Sequence, residues 1–125
     1  MIVGDRVNAI EAEIKNREAN TGMNIGMKIV DVKEKDGNVE YDYEYTVDYG
    51  EAGSIKIRGT IIGRDEPKET LESWKKDKKL SKEDTERLVN LINYLGSVHG
   101  TLVARVLSYR PPLVPPRLSV QQKKE

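Results

Sequence analysis

Only a few residues of this chain have the type and the spacing that active-site chemistry requires. Histidine is the side chain that most readily transfers protons near neutral pH, and the chain has a single one, His99. His99 lies beside the apolar stripe of a predicted helix, with no serine or aspartate at helical spacing on the same face. A partly buried, hydrogen-bonded histidine is therefore the favoured interpretation. An enzyme that uses His99 with a carboxylate is the less favoured one.

A second candidate is a row of carboxylates spaced two residues apart, which includes Glu40, Asp42 and Glu44. Two neighbouring carboxylates can act as general acid and base, but the same period is typical of the solvated face of a β-strand. Gly59 and Gly63 do not form a phosphate-binding loop, because Gly-Thr-Ile-Ile-Gly lacks the lysine and the hydroxyl residue that contact phosphate. We therefore expect no catalytic residue, no cofactor and no metal site.

Composition excludes further kinds of site and partner. The 125 residues include no cysteine, and 21 basic residues balance 21 acidic ones to a net charge of zero. Disulfides and thiolate sites are thereby excluded, and the lack of a basic excess argues against nucleic acid as a partner. The sequence shows no secretory signal and no apolar run of about 18 residues, so we expect a cytoplasmic protein without stable membrane insertion.

Alternating apolar residues predict four β-strands in the first half of the chain. The first covers residues 7–18, and the second lies within residues 23–32. Asp36-Gly37 then predicts a tight hairpin turn, because this pair accepts positive φ angles. The third strand, residues 39–49, alternates valine and tyrosine with acidic residues, and the pattern continues through residues 55–61. One face of this sheet should be apolar and aromatic, and the other acidic.

Two details of the pattern predict how these strands are arranged. Val30 and Val32 have the opposite parity to the preceding apolar residues, which indicates a β-bulge or a strand covered on both faces. Lys56, Arg58 and Arg64 alternate with the isoleucines of the fourth strand and can pair with the acids of the third. The third and fourth strands should therefore be antiparallel neighbours.

Two helices follow the strands. Residues 68–79 predict a short polar helix that docks through Leu71 and Trp74. Residues 81–108 predict a long amphipathic helix that begins with the helix-capping residue Ser81. Because strands come first and helices last, the fold class is α+β, a four-stranded antiparallel sheet followed by a short helix and a long C-terminal helix.

The end of the chain completes the predicted domain. Pro111-Pro112 should stop the long helix, because proline cannot donate the backbone hydrogen bond. We expect one α+β domain over residues 1–118 and a disordered polar tail over residues 119–125.

The long helix also predicts self-association. At about 1.5 Å per residue it would be about 40 Å long, more than the ~26–30 Å diameter of a compact domain of this size. Gly96, Gly100 and Ala104 lie four residues apart on one side of it, so another backbone can approach closely there. That backbone belongs either to the same chain or to a second subunit, and the overhanging length favours a homo-dimer or homo-tetramer. The predicted interface residues are Leu95, Gly96, His99, Gly100, Val103 and Ala104.

The helix and the tail together carry a resemblance to a known family. The helix includes Leu88-Val89-Asn90-Leu91-Ile92 and Val103-Ala104-Arg105-Val106-Leu107, and the tail reads Arg110-Pro111-Pro112-Leu113-Val114-Pro115-Pro116. With four antiparallel strands before them, these stretches resemble the SecB-like protein-export chaperones, whose main helix ends in a comparable Pro-Pro segment.

The resemblance implies an ATP-independent chaperone, or holdase, that binds unfolded or nascent polypeptides and assembles as a homo-oligomer. In that family an apolar groove lined by sheet and helix holds extended chains. The residues implied to bind polypeptide here are Ile25, Met27, Ile29, Tyr41, Tyr43, Tyr45, Leu113 and Val114. The alternative function is a non-catalytic structural or adaptor subunit of a larger complex, for example a ribosome- or secretion-associated one.

Overall fold

The computed structural model describes residues 1–19 and 22–112. Its regular elements are β1 (Ile2–Ile14), β2 (Asn24–Lys35), β3 (Asn38–Asp48), β4 (Gly53–Gly63), α1 (Lys68–Asp77) and α2 (Lys82–Leu107). The strands form one antiparallel sheet in the order β1-β4-β3-β2, with both helices after the strands. The predicted α+β class and element order are therefore confirmed.

β1 differs from its predicted bounds because it begins at Ile2 and ends at Ile14. Its first residues pair with the end of β4, where Ile2 lies opposite Gly63. The register shifts between Ile2 and Gly4 and again between Val7 and Ala9, so the apolar period is broken twice. Because of these two irregularities, the first part of β1 lacks the alternation of apolar residues by which strands are predicted.

Other local predictions agree with the structure. The turn between β2 and β3 places Asp36 at φ 52° and Gly37 at φ 82°, both in the left-handed region. β2 carries its register shift between Ile29 and Asp31, as the change of parity at Val30 predicted. The side chain of Ser81 accepts a hydrogen bond from the Asp84 amide at 3.1 Å and caps α2.

The acidic face of β3 is paired with cations of the same chain. Arg58 on β4 donates to Glu44 at 3.2 Å, and Lys33 on β2 donates to Asp42 at 3.2 Å. The Thr60 hydroxyl donates to Asp42 at 2.7 Å and is itself fully buried. The predicted antiparallel pairing of β3 with β4 is confirmed. The carboxylates of β3 form ion pairs with side chains of the neighbouring strands.

The core lies between α2 and the other face of the sheet. It contains the apolar residues of β3 and β4 together with Leu88 and Ile92 of α2. α2 packs against β2, β3 and β4, whereas α1 packs against β2. Trp74 anchors α1, because its ring is buried and its Nε1 donates to Asp31 at 3.3 Å. Among the described residues, no helix is long and apolar enough to span a membrane.

The glycines of α2 approach the chain's own sheet. A Cβ placed on Gly96 would lie 2.2 Å from Cδ1 of Tyr45, and one on Gly100 would lie 2.9 Å from Cγ of Pro112. Of the other residues predicted at a subunit interface, Leu95 and Ala104 are buried in the chain's own core, while His99 and Val103 are half-buried. Leu95, Gly96, Gly100 and Ala104 therefore make their contacts within the chain, whereas an interface role for His99 and Val103 stays a prediction.

Candidate functional site

The tyrosines predicted to bind polypeptide are core residues. Tyr41, Tyr43 and Tyr45 are at most 1% exposed, because α2 covers the face of β3 from which they project. A ligand could reach them only if α2 moved away from the sheet. The prediction that these three side chains form a binding surface is corrected by this arrangement.

The remaining predicted binding residues have mixed positions. Ile25, Met27 and Ile29 on β2 are half-buried and pack against the core. Met27 and Ile29 also line a cleft of about 340 Å³ between β2 and the helices, with Trp74 and Val89 on its other side. Leu113 and Val114 lie outside the described residues, as does the predicted tail of residues 119–125.

The hydroxyl groups of Tyr41, Tyr43 and Tyr45 have different environments. Tyr41 donates to Glu66 at 2.5 Å, whereas the hydroxyls of Tyr43 and Tyr45 are buried without a hydrogen-bond partner among the described residues. Burial raises the pKa of Tyr45 to about 12, with a smaller contribution from Tyr49. Tyr45 therefore remains a neutral phenol in the core.

This contrast predicts opposite results for two similar substitutions. Tyr41→Phe should lower the free energy of unfolding by about 2 kcal/mol, because a hydrogen bond to a carboxylate is lost. Tyr45→Phe should leave it unchanged or raise it by up to about 1 kcal/mol, because an unpartnered buried hydroxyl is removed. Urea unfolding followed by circular dichroism measures both. Equal losses for the two variants would contradict the assignment.

Glu66 is a buried carboxylate at the centre of an ion cluster rather than a catalytic base. It accepts hydrogen bonds from Tyr41, from Arg87 at 2.9 Å and from the Met1 amine at 2.5 Å. Burial alone would raise the pKa of Glu66, but hydrogen bonds from Arg87, the Met1 amine and Tyr41 lower it to about 2. A carboxylate with this pKa is too weak a base to remove protons near neutral pH.

The first exposed apolar surface lies on β1. Ile10 lies opposite Ile57, and Ile14 lies opposite Gly53. Directly paired residues project from the same face of a sheet, so Ile10, Ala12 and Ile14 lie on the face that α2 covers elsewhere. Ile57 is fully buried, but Ile10 is 50% and Ile14 43% exposed, because α2 packs against β2, β3 and β4. We call Ile10, Ala12 and Ile14 the β1 row.

The β1 row lies on a strand with one free edge. β4 pairs with one side of β1, and no strand in the described part of the chain pairs with the other. β1 is 13 residues long, and after the irregularity at Val7 and Ala9 its pairing with β4 is regular to Ile14. Exposed edges of this length normally carry features that block pairing. β1 has two such irregularities before Ala9, whereas the segment from Ala9 to Ile14 combines an edge that is unpaired among the described residues with an apolar face.

The second exposed apolar surface lies on α2. Tyr94, Val98, Leu102 and Val106 follow each other at four-residue spacing and are 65%, 42%, 61% and 82% exposed. We call these four residues the α2 row. They point away from the core that Leu88, Ile92 and Ala104 enter from the same helix.

The sequence pattern contained every member of both rows except Tyr94, but it did not mark them as exposed. Ile10 and Ile14 have the same period-two spacing as Tyr43 and Tyr45, and Leu102 and Val106 belonged to the predicted apolar stripe of the long helix. No local signal separates the covered from the uncovered members.

No known relative guides the choice of function. A comparison with protein families, with curated proteins and with solved structures finds no match to this chain. Within residues 1–19 and 22–112, no group of three or more histidine, aspartate or glutamate side chains could hold a metal ion. The two apolar rows are thus the features of the described residues that most need a functional explanation.

Proposed function

We propose that this chain is a polypeptide-binding protein that holds unfolded or nascent segments along β1 without covalent chemistry. The observation that supports this function is the half-exposed β1 row on a strand that pairs on one side only within residues 1–19 and 22–112. An extended polypeptide can add to such an edge as a further strand. Its backbone hydrogen bonds would be independent of client sequence, which suits a protein that binds many unfolded chains.

The side chains around the free edge define the class of client. Residues two apart on a strand lie about 6.6 Å apart, so the β1 row would contact alternate side chains of a bound strand. Isoleucine and alanine favour apolar contacts there. Glu11, Glu13 and Lys15 of the same segment carry charges of both signs, and Lys15 lies 3.5 Å from Glu13. The expected client is therefore an extended apolar segment without a strong requirement for charge.

The resemblance to the SecB-like family supports the same proposal. In that family an apolar groove between sheet and helix holds extended polypeptides, and no ATP chemistry is needed. In this proposal the β1 row has the binding role that was expected of the tyrosines. The chain would then be an ATP-independent holdase of the cytoplasm, with protein export as the process it serves.

Replacing Ile10 by lysine should weaken polypeptide binding. Burial of an isoleucine contributes about 1.5–3 kcal/mol, so its loss should lower affinity for an extended apolar peptide roughly tenfold or more. Fluorescence anisotropy with a labelled peptide measures the affinity. Light scattering of a chemically unfolded client measures the suppression of aggregation.

The matched control is Val30→Lys. Val30 is 51% exposed on β2, so the same charge is introduced at a similarly exposed β-branched residue that lies outside the β1 row. This variant should bind peptide and suppress aggregation as the unaltered protein does. The proposal is wrong if the unaltered protein neither binds the peptide nor suppresses aggregation, or if Ile10→Lys and Val30→Lys behave alike. It is also wrong if Ile10→Lys abolishes self-association, because β1 would then be a subunit interface.

A further inference from the structure

The cleft of about 340 Å³ between β2 and the helices has a largely apolar lining. Its apolar residues come from β2, from both helices and from the turn between them: Met27, Ile29, Trp74, Leu80 and Val89. The charged residues that the described part of the chain adds to this lining are all lysines: Lys28, Lys78 and Lys79. The cleft therefore favours an apolar segment whose own cations point elsewhere.

The chain itself turns back along α2 after the helix ends. Ser108 has φ 62°, in the left-handed region, and the Tyr109 amide donates to the carbonyl of Ala104 at 2.8 Å. Pro112 is buried against Gly100, where an added Cβ would lie 2.9 Å from the proline Cγ. Between Ser108 and Pro112 the chain thus runs antiparallel to α2 over about two helical turns.

Gly100 and the cleft lie on the same side of α2. Val89, which lines the cleft, precedes Gly100 by 11 residues. At 3.6 residues per turn this is about three full turns, so both residues face the same way. At about 1.5 Å per residue they lie about 17 Å apart along the helix axis. A segment that continues from Pro112 in the same direction therefore enters the cleft.

The six residues that follow Pro112 have the length needed to reach Val89. They read Leu-Val-Pro-Pro-Arg-Leu, from Leu113 to Leu118, and lie outside the described residues. Four prolines in the stretch from Pro111 to Pro116 favour the polyproline II conformation. At a rise of about 3.1 Å per residue, six residues span about 19 Å and bring Leu118 to the level of Val89.

The three-residue repeat of polyproline II determines which of these side chains face the protein. Pro112 is buried, so Leu118, six residues later, would face inward as well. Pro111 is exposed, so Val114 and Arg117, three and six residues later, would face outward. Leu118 would thus point into the cleft, whereas Arg117 would point away from its lysines.

We propose that the segment Leu113–Leu118 packs along α2 of its own chain and that Leu118 fills the cleft against Trp74. Because the segment is joined to the site, it acts at an effective concentration on the order of millimolar, as a short linker provides. An apolar segment of another protein would have to displace it. The cleft is then closed in the free protein, whereas the β1 row stays accessible.

Fluorescence of Trp74 tests the occupancy of the cleft, because Trp74 lines the cleft and is the chain's single tryptophan. Leu118→Lys would place a cation beside Lys78 and Lys79 and should release the segment. The Trp74 emission maximum should then move to longer wavelength, and acrylamide should quench the emission more strongly. Val114→Lys is the matched control, since it adds the same charge at an outward-facing residue, and its emission should not change.

Cysteine pairs test the position of Leu118, because the chain contains no cysteine of its own. A disulfide requires Cα atoms within about 7 Å of each other. Leu118→Cys combined with Val89→Cys should therefore form a disulfide within one chain, which non-reducing electrophoresis and mass spectrometry detect. The matched control combines Leu118→Cys with Val98→Cys. Val98 is exposed and lies about two and a half turns from Val89, on the opposite side of α2, so this pair should not cross-link within the chain.

Three results would overturn the inference: equal Trp74 spectra for Leu118→Lys and Val114→Lys, equally fast cross-linking of both cysteine pairs, or a Leu118–Val89 disulfide that joins two chains. The inference does not depend on the polypeptide binding proposed for β1. Leu118→Lys should bind the labelled peptide at least as tightly as the unaltered protein, and Ile10→Lys should leave the Trp74 spectrum unchanged. Failure of one proposal can thus be told apart from failure of the other.

Discussion

We expect the Gly96→Ala protein to unfold with a free energy about 2 kcal/mol or more below that of the unaltered protein. The added Cβ would lie 2.2 Å from Cδ1 and 2.4 Å from Cγ of Tyr45, far inside the ~3.5–4.0 Å of ordinary carbon contacts. Tyr45 is fully buried, so its ring has no room to move away. Alanine gains about 1 kcal/mol of helix propensity over glycine, and overpacking of about 1–3 kcal/mol or more outweighs that gain.

Two further variants make this prediction specific. Gly100→Ala should lose less stability, because its Cβ would lie 2.9 Å from the Pro112 ring edge and 3.5 Å from Tyr45. Gly96→Ala should cost less stability in a protein that already carries Tyr45→Leu than in the unaltered protein, because the two changes act on one contact. Urea unfolding at several protein concentrations measures all of them. A Gly96→Ala protein that is more stable than the unaltered one would show that Gly96 does not pack against Tyr45.

The second large effect is expected for Glu66→Gln, which should lower the free energy of unfolding by about 3 kcal/mol at pH 7. The Glu66 side chain is 3% exposed and lies 2.9 Å from Arg87 of α2. Removing one partner of a buried ion pair costs about 3–5 kcal/mol. The Arg87 side chain is 37% exposed, so water partly compensates the charge that is left. Arg87 keeps a second partner in Asp84 at 3.1 Å, which places the expected loss at the lower end of that range.

The same residue predicts how stability depends on pH. Glu66 has a pKa of about 2 in the folded protein, below its ordinary value of 4.5, so folding favours its ionised form. Its contribution is fully present above about pH 5 and is lost as the pH falls towards 2. The difference between a pKa of 4.5 and one of about 2 corresponds to about 3 kcal/mol of stability. Glu66→Gln should remove this part of the stability loss between pH 5 and pH 2.

Glu69→Gln is the matched control, because Glu69 is exposed in the first turn of α1. This variant should lose at most about 1 kcal/mol, the range of an acid near a helix N-terminus. Both proteins are compared by urea unfolding from pH 7 to pH 2. A Glu66→Gln protein with unchanged stability at pH 7, or with an unchanged slope between pH 5 and pH 2, would contradict the role given to this cluster.

Much of the fold could be predicted because it depends on residues close together in sequence. The alternation of tyrosines with acids predicted β3, the Asp36-Gly37 pair predicted the turn before it, and Ser81 predicted the start of α2. Each of these signals arises from backbone preferences and side-chain periods over two to four residues. The start of β1 could not be predicted in this way, because its register shifts at Gly4 and Ala9 break the period.

The candidate sites could not be predicted with the same success. The spacing of apolar residues indicates which of them share a face, but it does not indicate what covers that face. Tyr45 and Ile10 both belong to apolar rows of period two, yet Tyr45 is fully buried and Ile10 is half-exposed. Likewise Gly96 and Val98 lie on one helix, one against Tyr45 and the other open to solvent.

The sequence by itself determined the element types, their order and the charge pattern of the strands. The tertiary structure alone decided that α2 lies over β2, β3 and β4, that β1 is an edge strand of the described sheet, and that the α2 row is exposed among the described residues. These facts depend on contacts between residues far apart in the chain, such as Gly96 with Tyr45. Such contacts are set by how the whole sheet and helix pack together, and no local pattern contains them.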